Sequence, residues 1–366
     1  MSQDIYTCRN RTTVESNETP VISALMFAAG VLGNLFALVL LEVRHRKEQS
    51  RQRQSLFHVL VTALVVTDLM GTCLVSPIVQ AAHALNTTLM GMSDDGAVCS
   101  YFGFSMTLFS LTTLSILLAM AVERSVSIGY PYLYGRHVTK RCGYITIPSI
   151  YLLCTVFCSM PFAGFGHYVQ YCPGTWCFID MNPAEKKYRV FANIYATVML
   201  LIVILIVVCN CFVVYHLILM YKRRKINRRS VMTRSKKERR HFSLAEEVEY
   251  LILLVIMTII FVICSMPLMI RVYINSTQSS DSDKTDKTDL IALRFISINS
   301  IIDPWVFIIL SPSVLRFLWG ALCKASRKGS VYNTSLAKST DRPPEQGPSN
   351  AVSTEITHFT KSAQML

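Results

Sequence analysis

Residues 290–310 read LIALRFISINSIIDPWVFIIL, an apolar run long enough to cross a bilayer that still carries Arg294, Asp303, Pro304 and Trp305. Arg or Asp at the centre of a span is disfavoured by about 2.5–3.5 kcal/mol on translocon scales, so each charge marks a candidate functional site. The run is therefore read first as a membrane helix with two tasks inside it.

Working outward, the chain of 366 residues is 52% hydrophobic and only 16% charged, the balance of a polytopic membrane protein and not of a soluble domain. Seven runs reach the length of about 20 apolar residues that a span needs: 20–41, 56–82, 98–122, 145–165, 188–219, 250–274 and 290–310. None shows the alternation of a barrel strand, and a backbone in lipid must bond to itself, so all seven are read as helices. The expected fold is an all-α membrane protein, a seven-helix bundle over 20–311 with a short C-terminal interfacial helix.

Charge orients it. Arg44, Arg46, Lys47, Arg51 and Arg53 crowd the loop after the first span, and a longer run from Lys222 to Arg240 fills the loop after the fifth. The loop between spans two and three has no Lys or Arg. The positive-inside rule then puts the N-terminus, 1–19, outside and the C-terminus in the cytosol of a plasma-membrane protein. The net charge of +13 sits in the inner loops, where anionic membrane lipid is the natural partner and nucleic acid is not. Residues 1–19 are polar and hold no signal-peptide core, so the first span is expected to act as its own insertion signal.

Of the twelve cysteines, this topology leaves Cys8, Cys99, Cys172 and Cys177 outside, where bridges form; the sequence permits three pairings. The sequons at Asn10, Asn17, Asn86 and Asn275 fall on the same side, the first three as candidate glycosylation sites, whereas Asn333 matches the pattern but is cytosolic. After the seventh span, 312–324 places Leu315, Leu318, Trp319 and Leu322 at helical spacing and ends near Cys323, a palmitoylation candidate. Residues 325–366 are rich in Ser, Thr, Lys and Pro and are expected to be a disordered cytoplasmic tail open to kinases.

Several polar landmarks lie inside the spans: Asn34 after Gly33 in the first, Asp68 in the second, Glu123-Arg124-Ser125 closing the third, Pro267 within the sixth and Asp303-Pro304 in the seventh. Each has a plain reading alone. Asp68 can be a structural network member, and Arg124 a snorkelling charge. As a set in the right spans they resemble rhodopsin-like receptors. The departures narrow this: Cys264-Ser265-Met266-Pro267 lacks the usual tryptophan, Asp303-Pro304-Trp305-Val306-Phe307 replaces Asn-Pro-x-x-Tyr, and span five has no proline. With the loop string Gln170-Tyr171-Cys172-Pro173-Gly174-Thr175-Trp176-Cys177-Phe178, they make all seven spans resemble the prostanoid receptors. Leu56-Phe57-His58-Val59-Leu60 and Ser297-Ile298-Asn299-Ser300 are most similar to the cAMP-raising members for prostaglandin E2; Cys8-Arg9-Asn10 and Gly164-Phe165-Gly166 are closer to those for prostaglandin D2.

The resemblance implies the bridges Cys99–Cys177 and Cys8–Cys172, a lipid carboxylate paired with Arg294, Thr175 as a further carboxylate donor and Trp176 as a lid. It implies His83 where these receptors usually carry a tyrosine donor; a neutral imidazole still donates one bond. Ser297, one turn deeper than Arg294, is placed for a second polar contact. Met106, Phe102 and Phe109 would line the apolar channel, though Met and Phe at helical spacing are also ordinary packing. Arg271, nearer the end of its span, is expected to snorkel to the headgroups. Binding would bias an outward swing at Pro267 that frees Arg124 for a Gs protein, with receptor kinases and arrestin acting on the tail. No cofactor and no metal are expected. A transporter or channel would need charged groups along a continuous path and broken helices. An intramembrane enzyme would need paired carboxylates, HExxH or a Ser-His pair at one depth, so no enzyme is expected.

Overall fold

A computed structural model describes residues 11–14, 20–49, 56–182, 186–226, 234–277 and 282–310. Cys8, Asn10, Asn17, the segment 312–324 with Cys323 and the tail 325–366 lie outside the described residues.

Among the described residues seven helices are long and apolar enough to cross a membrane. They are α1 (Val21–Gln49), α2 (Leu56–Leu85), α3 (Ala97–Gly129), α4 (Lys140–Cys158), α5 (Lys186–Ile226), α6 (Arg234–Thr277) and α7 (Ser282–Leu310). A short helix, Pro131–His137, joins α3 to α4. Several helices run past their apolar cores, because a helix closes its own hydrogen bonds in water as well as in lipid. α3 is the axis of the bundle: 61% of its apolar stretch is buried in protein, against 17% for α4. That burial is why α3 can afford Ser105, Thr107, Thr112 and Thr113 as buried polar residues, each facing protein and not hydrocarbon.

The apolar run read as 145–165 is helical only to Cys158; Met160–Ala163 is a 3-10 turn closed by Gly164 in the left-handed region, φ 85°. Pro161 explains the change, since it lacks an N–H and disfavours helical backbone in the residue before it.

The loop after α4 holds an element that hydropathy did not reveal, a hairpin of β1 (Tyr168–Tyr171) and β2 (Trp176–Ile179), antiparallel with Gln170 opposite Cys177. Its turn is closed by Gly174 N–H donating to the Tyr171 carbonyl at 2.8 Å. Gly174 has φ 103°, and a Cβ there would run into Thr88 Cγ2, so the position requires glycine. The Cys99–Cys177 disulfide, Cα atoms 5.4 Å apart, pins β2 to the first turn of α3. Residues 11–14 lie against the same end: Thr88 N–H donates to the Thr12 carbonyl at 3.0 Å, and Gln170 Nε2 donates to the Arg11 carbonyl at 3.1 Å. Gln170 Oε1 meanwhile accepts from Met90 N–H at 2.9 Å. One buried amide thus joins the hairpin, the α2–α3 loop and the N-terminal segment.

Candidate ligand pocket

Beneath the hairpin a cavity opens into the bundle, with about 850 Å3 of empty space including its mouth. Trp176 of β2 covers it, 8% exposed and set edge-on against Phe102 of α3, ring centres 5.9 Å apart. Below, Met106 and Phe109 of α3, Phe261 of α6 and Ile296 and Ile301 of α7 supply apolar wall, and Ser23 and Met26 of α1 contribute on another side. The floor reaches Asp68, Thr113 and Asn299.

The polar wall is ordered. Asp68, Thr72, Ser76 and Gln80 recur every fourth residue along α2 and all line the cavity. Four-residue steps keep to one slowly turning helix face, so α2 presents a polar rail running from mid-bundle toward the hairpin. Thr72 donates to the Asp68 carbonyl at 2.8 Å. Gly71 lets α3 come close, since a Cβ there would sit 3.2 Å from Phe109.

The cavity floor is also a junction between helices. Thr113 of α3 donates to Asp68 Oδ1 at 2.9 Å. Asn34 of α1 donates to its own Gly30 carbonyl at 2.9 Å and to the Ser300 carbonyl of α7 at 3.2 Å. Gly33 makes room beside it, because a Cβ would lie 2.8 Å from Trp305 Nε1. Asn299 reaches Asp303 on its own helix at 3.4 Å, a weak contact, and Asp68 and Asp303 interact electrostatically. Asn34 Oδ1, Asp68 Oδ2, Asn299 Oδ1 and Asp303 Oδ1 are all buried acceptors with no donor among the described residues. The junction is rich in acceptors and short of donors.

At the opposite end of the bundle, Arg124 Nε pairs with Glu123 at 2.9 Å, both side chains 4% exposed or less. Tyr134, from the short helix after α3, donates to the other Glu123 oxygen at 2.5 Å. The Arg124 guanidinium lies 4.1 Å from the centre of the Phe57 ring of α2, a cation–π contact. Ser125 donates to the Cys209 carbonyl of α5 at 3.2 Å, and Asn210 beside it donates to Thr258 of α6 at 2.9 Å. Pro267 interrupts α6 one turn after Cys264.

Residues 33–307 match the family described as 7 transmembrane receptor (rhodopsin family). The prostaglandin E2 receptor EP2 subtype of Canis lupus familiaris is 49% identical over 330 residues, 86% of this chain and 88% of the relative. The chain belongs to the prostanoid receptors of the rhodopsin family. The Homo sapiens EP2 subtype is 47% identical over 328 residues, 86% of this chain and 89% of that receptor. The Mus musculus prostaglandin D2 receptor is 43% identical over 327 residues, 86% and 92%. Squid rhodopsin shares the fold, with a TM-score of 0.69 at 15% identity over 85% of this chain and 78% of its own. This receptor is thus a multi-pass plasma-membrane protein and not an enzyme.

Of the expected ligand contacts, the receptor brings Trp176, Ser297 and Met106 together on the cavity wall, with Phe102 and Phe109 beside them. Arg294, Thr175 and His83 are not among the lining residues. Arg294 is half-buried on α7 one turn from Ser297 toward the hairpin, Thr175 is buried in the hairpin turn, and His83 is in the last turn of α2. Of the two implied bridges, Cys99–Cys177 is present. Cys172 is disulfide-bonded, and its implied partner Cys8 is outside the described residues.

One expectation is corrected. Arg271 does not run to the headgroups: its Nε donates to Asp289 Oδ1 of α7 at 2.6 Å. Asp289 lies in the polar stretch before the seventh apolar run, and only the packing of α6 on α7 brings it to Arg271. Asn275, in the fourth outer sequon, is 1% exposed and donates to Asp289 Oδ2 at 2.9 Å, so its amide is turned into the bundle. Asn86, by contrast, is exposed in a turn at φ 51°. Sequence reasoning also missed the α2 rail, although its four-residue polar spacing was readable, and Tyr134, which carried no signal.

Proposed function

We propose that this receptor binds prostaglandin E2 and couples to Gs, raising cAMP, with the hairpin end and N-terminus outside and the opposite end in the cytosol. The observation that carries the ligand class is the apolar cavity closed by Trp176, with Ser297 and Met106 in its wall. A prostaglandin is a carboxylate on a long apolar body with a few neutral oxygens, so it asks for one cation, a few donors and an apolar cavity. Arg294, one turn from the wall residue Ser297 toward the hairpin, is the carboxylate anchor in this reading, its planar fork suited to a bidentate pair, with Thr175 and His83 as further donors. Ser297 makes the next polar contact.

Agonist can switch the receptor only by preferring the active arrangement. Contacts on α3 and α7 above the Asp68–Asp303 junction bias an outward swing of α6 at Pro267, where a missing hydrogen bond weakens the helix. The swing separates Asn210 from Thr258 and releases Arg124, opening a cleft for the Gs α-subunit. Receptor kinases and arrestin act on the tail, and Cys323, Asn10, Asn17 and Asn86 are modification sites in this reading. A prostaglandin D2 receptor with the same coupling is the second reading, favoured by the 43% identity to that receptor.

Expression with a cAMP reporter and a panel of prostaglandins E2, D2, I2 and F2α tests both. The expected order has E2 first. A D2-first order promotes the second reading, and a flat response to all four removes both.

A further inference from the structure

Gln80 stands at the top of the α2 rail, one turn from His83, and nothing in the family resemblance assigns it a role. Its Nε2 is closed to solvent and has no hydrogen-bond partner among the described residues, yet the side chain lines the cavity. A buried donor left unmade is costly, and native structures hold few of them without a reason. Thr72, lower on the same rail, is satisfied by its own helix. A hydroxyl on a helix can always turn back to the carbonyl four residues earlier; a glutamine amide on its longer stem has no such local outlet. Gln80 is therefore the member of the rail that needs something from the cavity itself. The cavity's hydroxyls, Ser23, Ser76, Ser105 and Ser110, do not bond it.

We propose that Gln80 is a specificity-determining residue of this pocket, its side-chain amide donating to a neutral hydroxyl or keto oxygen on the body of the carboxylate lipid. The inference rests on the prostaglandin reading for its ligand. An amide N–H is neutral, so it leaves the carboxylate to Arg294 and takes an oxygen that carries no charge. It also discriminates: a site built to hydrogen-bond one oxygen rejects the analogue that lacks it, because the donor is then stranded. The apolar walls hold any prostanoid body alike, whereas Gln80 distinguishes ligands by where their oxygens sit.

The test is radioligand displacement on the full-length receptor in membranes, wild type against Gln80→Leu and Gln80→Met, with surface expression matched. The ligands are prostaglandin E2 and three counterparts, each lacking the ring keto, the ring hydroxyl or the chain hydroxyl oxygen. Loss of one neutral hydrogen bond should weaken E2 binding about 3- to 10-fold in both variants. One of the three counterparts should bind wild type and variants equally, which identifies the oxygen. The melting temperature of the empty receptor should hold or rise in both variants, because an unsatisfied polar group has been removed; a merely structural glutamine would lower it. Equal weakening of all four ligands, or no weakening of any, overturns the assignment. If E2 and its relatives fail to bind wild type, the prostaglandin reading falls as well; if they bind and only the Gln80 pattern fails, that reading stands.

Discussion

Arg271 of α6 and Asp289 of α7 form an ion pair at 2.6 Å whose side chains are 16% and 3% exposed, and Asn275 donates to the second Asp289 oxygen. On the α5 side, Arg189 donates to the Ser276 carbonyl at 3.0 Å and Asn193 to the Ser276 hydroxyl at 2.9 Å. The hairpin ends of α5, α6 and α7 are thus laced together by polar groups. Removing one partner of such a pair leaves the other uncompensated and costs about 3–5 kcal/mol. Asp289→Ala should lower the melting temperature in detergent by about 5–10 °C. A shift under one degree would show that the pair contributes nothing.

Arg294 is the proposed anchor of the ligand carboxylate. Truncating one partner of a buried charge pair costs about 2–5 kcal/mol, and each 1.4 kcal/mol is tenfold. Arg294→Ala should weaken E2 potency roughly 30- to 3,000-fold with surface expression intact. Radioligand affinity within a few fold of wild type would place the anchor elsewhere.

Tyr134 holds Glu123, and Glu123 holds Arg124. A hydrogen bond to a charged group is worth about 1.5–3 kcal/mol. If the arrangement is the resting one, Tyr134→Phe takes that stabilisation from the resting state alone and shifts the population toward the active one. Basal cAMP should rise about tenfold, with agonist affinity rising in parallel. Unchanged basal signalling at equal expression would mean that the bond persists in both states.

The junction of Asp68 and Asp303 leaves several buried acceptors without a donor among the described residues and brings two carboxylates into electrostatic contact. Asp303→Asn removes the repulsion and adds an N–H2 group to a junction with several orphaned acceptors. Satisfying one buried acceptor is worth about 1 kcal/mol, so the melting temperature should rise by about 2–4 °C. A fall would show that the second carboxylate is needed for stability.

The fold and the buried polar positions within it were legible because their signals are local or carry their own cost. An apolar run of span length has few other homes, and Asp68, Arg124, Pro267 and Asp303 stand out because each is expensive in a membrane. The passage from α-helix to a 3-10 turn near the end of the fourth span escaped because hydropathy does not register a proline's missing N–H. The β1–β2 hairpin escaped because its strands are four residues each and their pairing depends on the disulfide and on the loops stacked over it.

By itself, then, the sequence determined the seven helices, the buried charges and the membership that its loop and seventh-span wording carries. These are properties of chemistry in order along a chain. Tertiary structure decided which charges are spoken for: Arg271 and Asn275 belong to Asp289, Asn34 to the Ser300 carbonyl, Glu123 to both Arg124 and Tyr134. It also decided that Gln80 is left with a buried donor facing a cavity. A hydrogen bond or ion pair lives within about 3 Å, and which groups come that close is set by how helices pack, a fact no single segment contains.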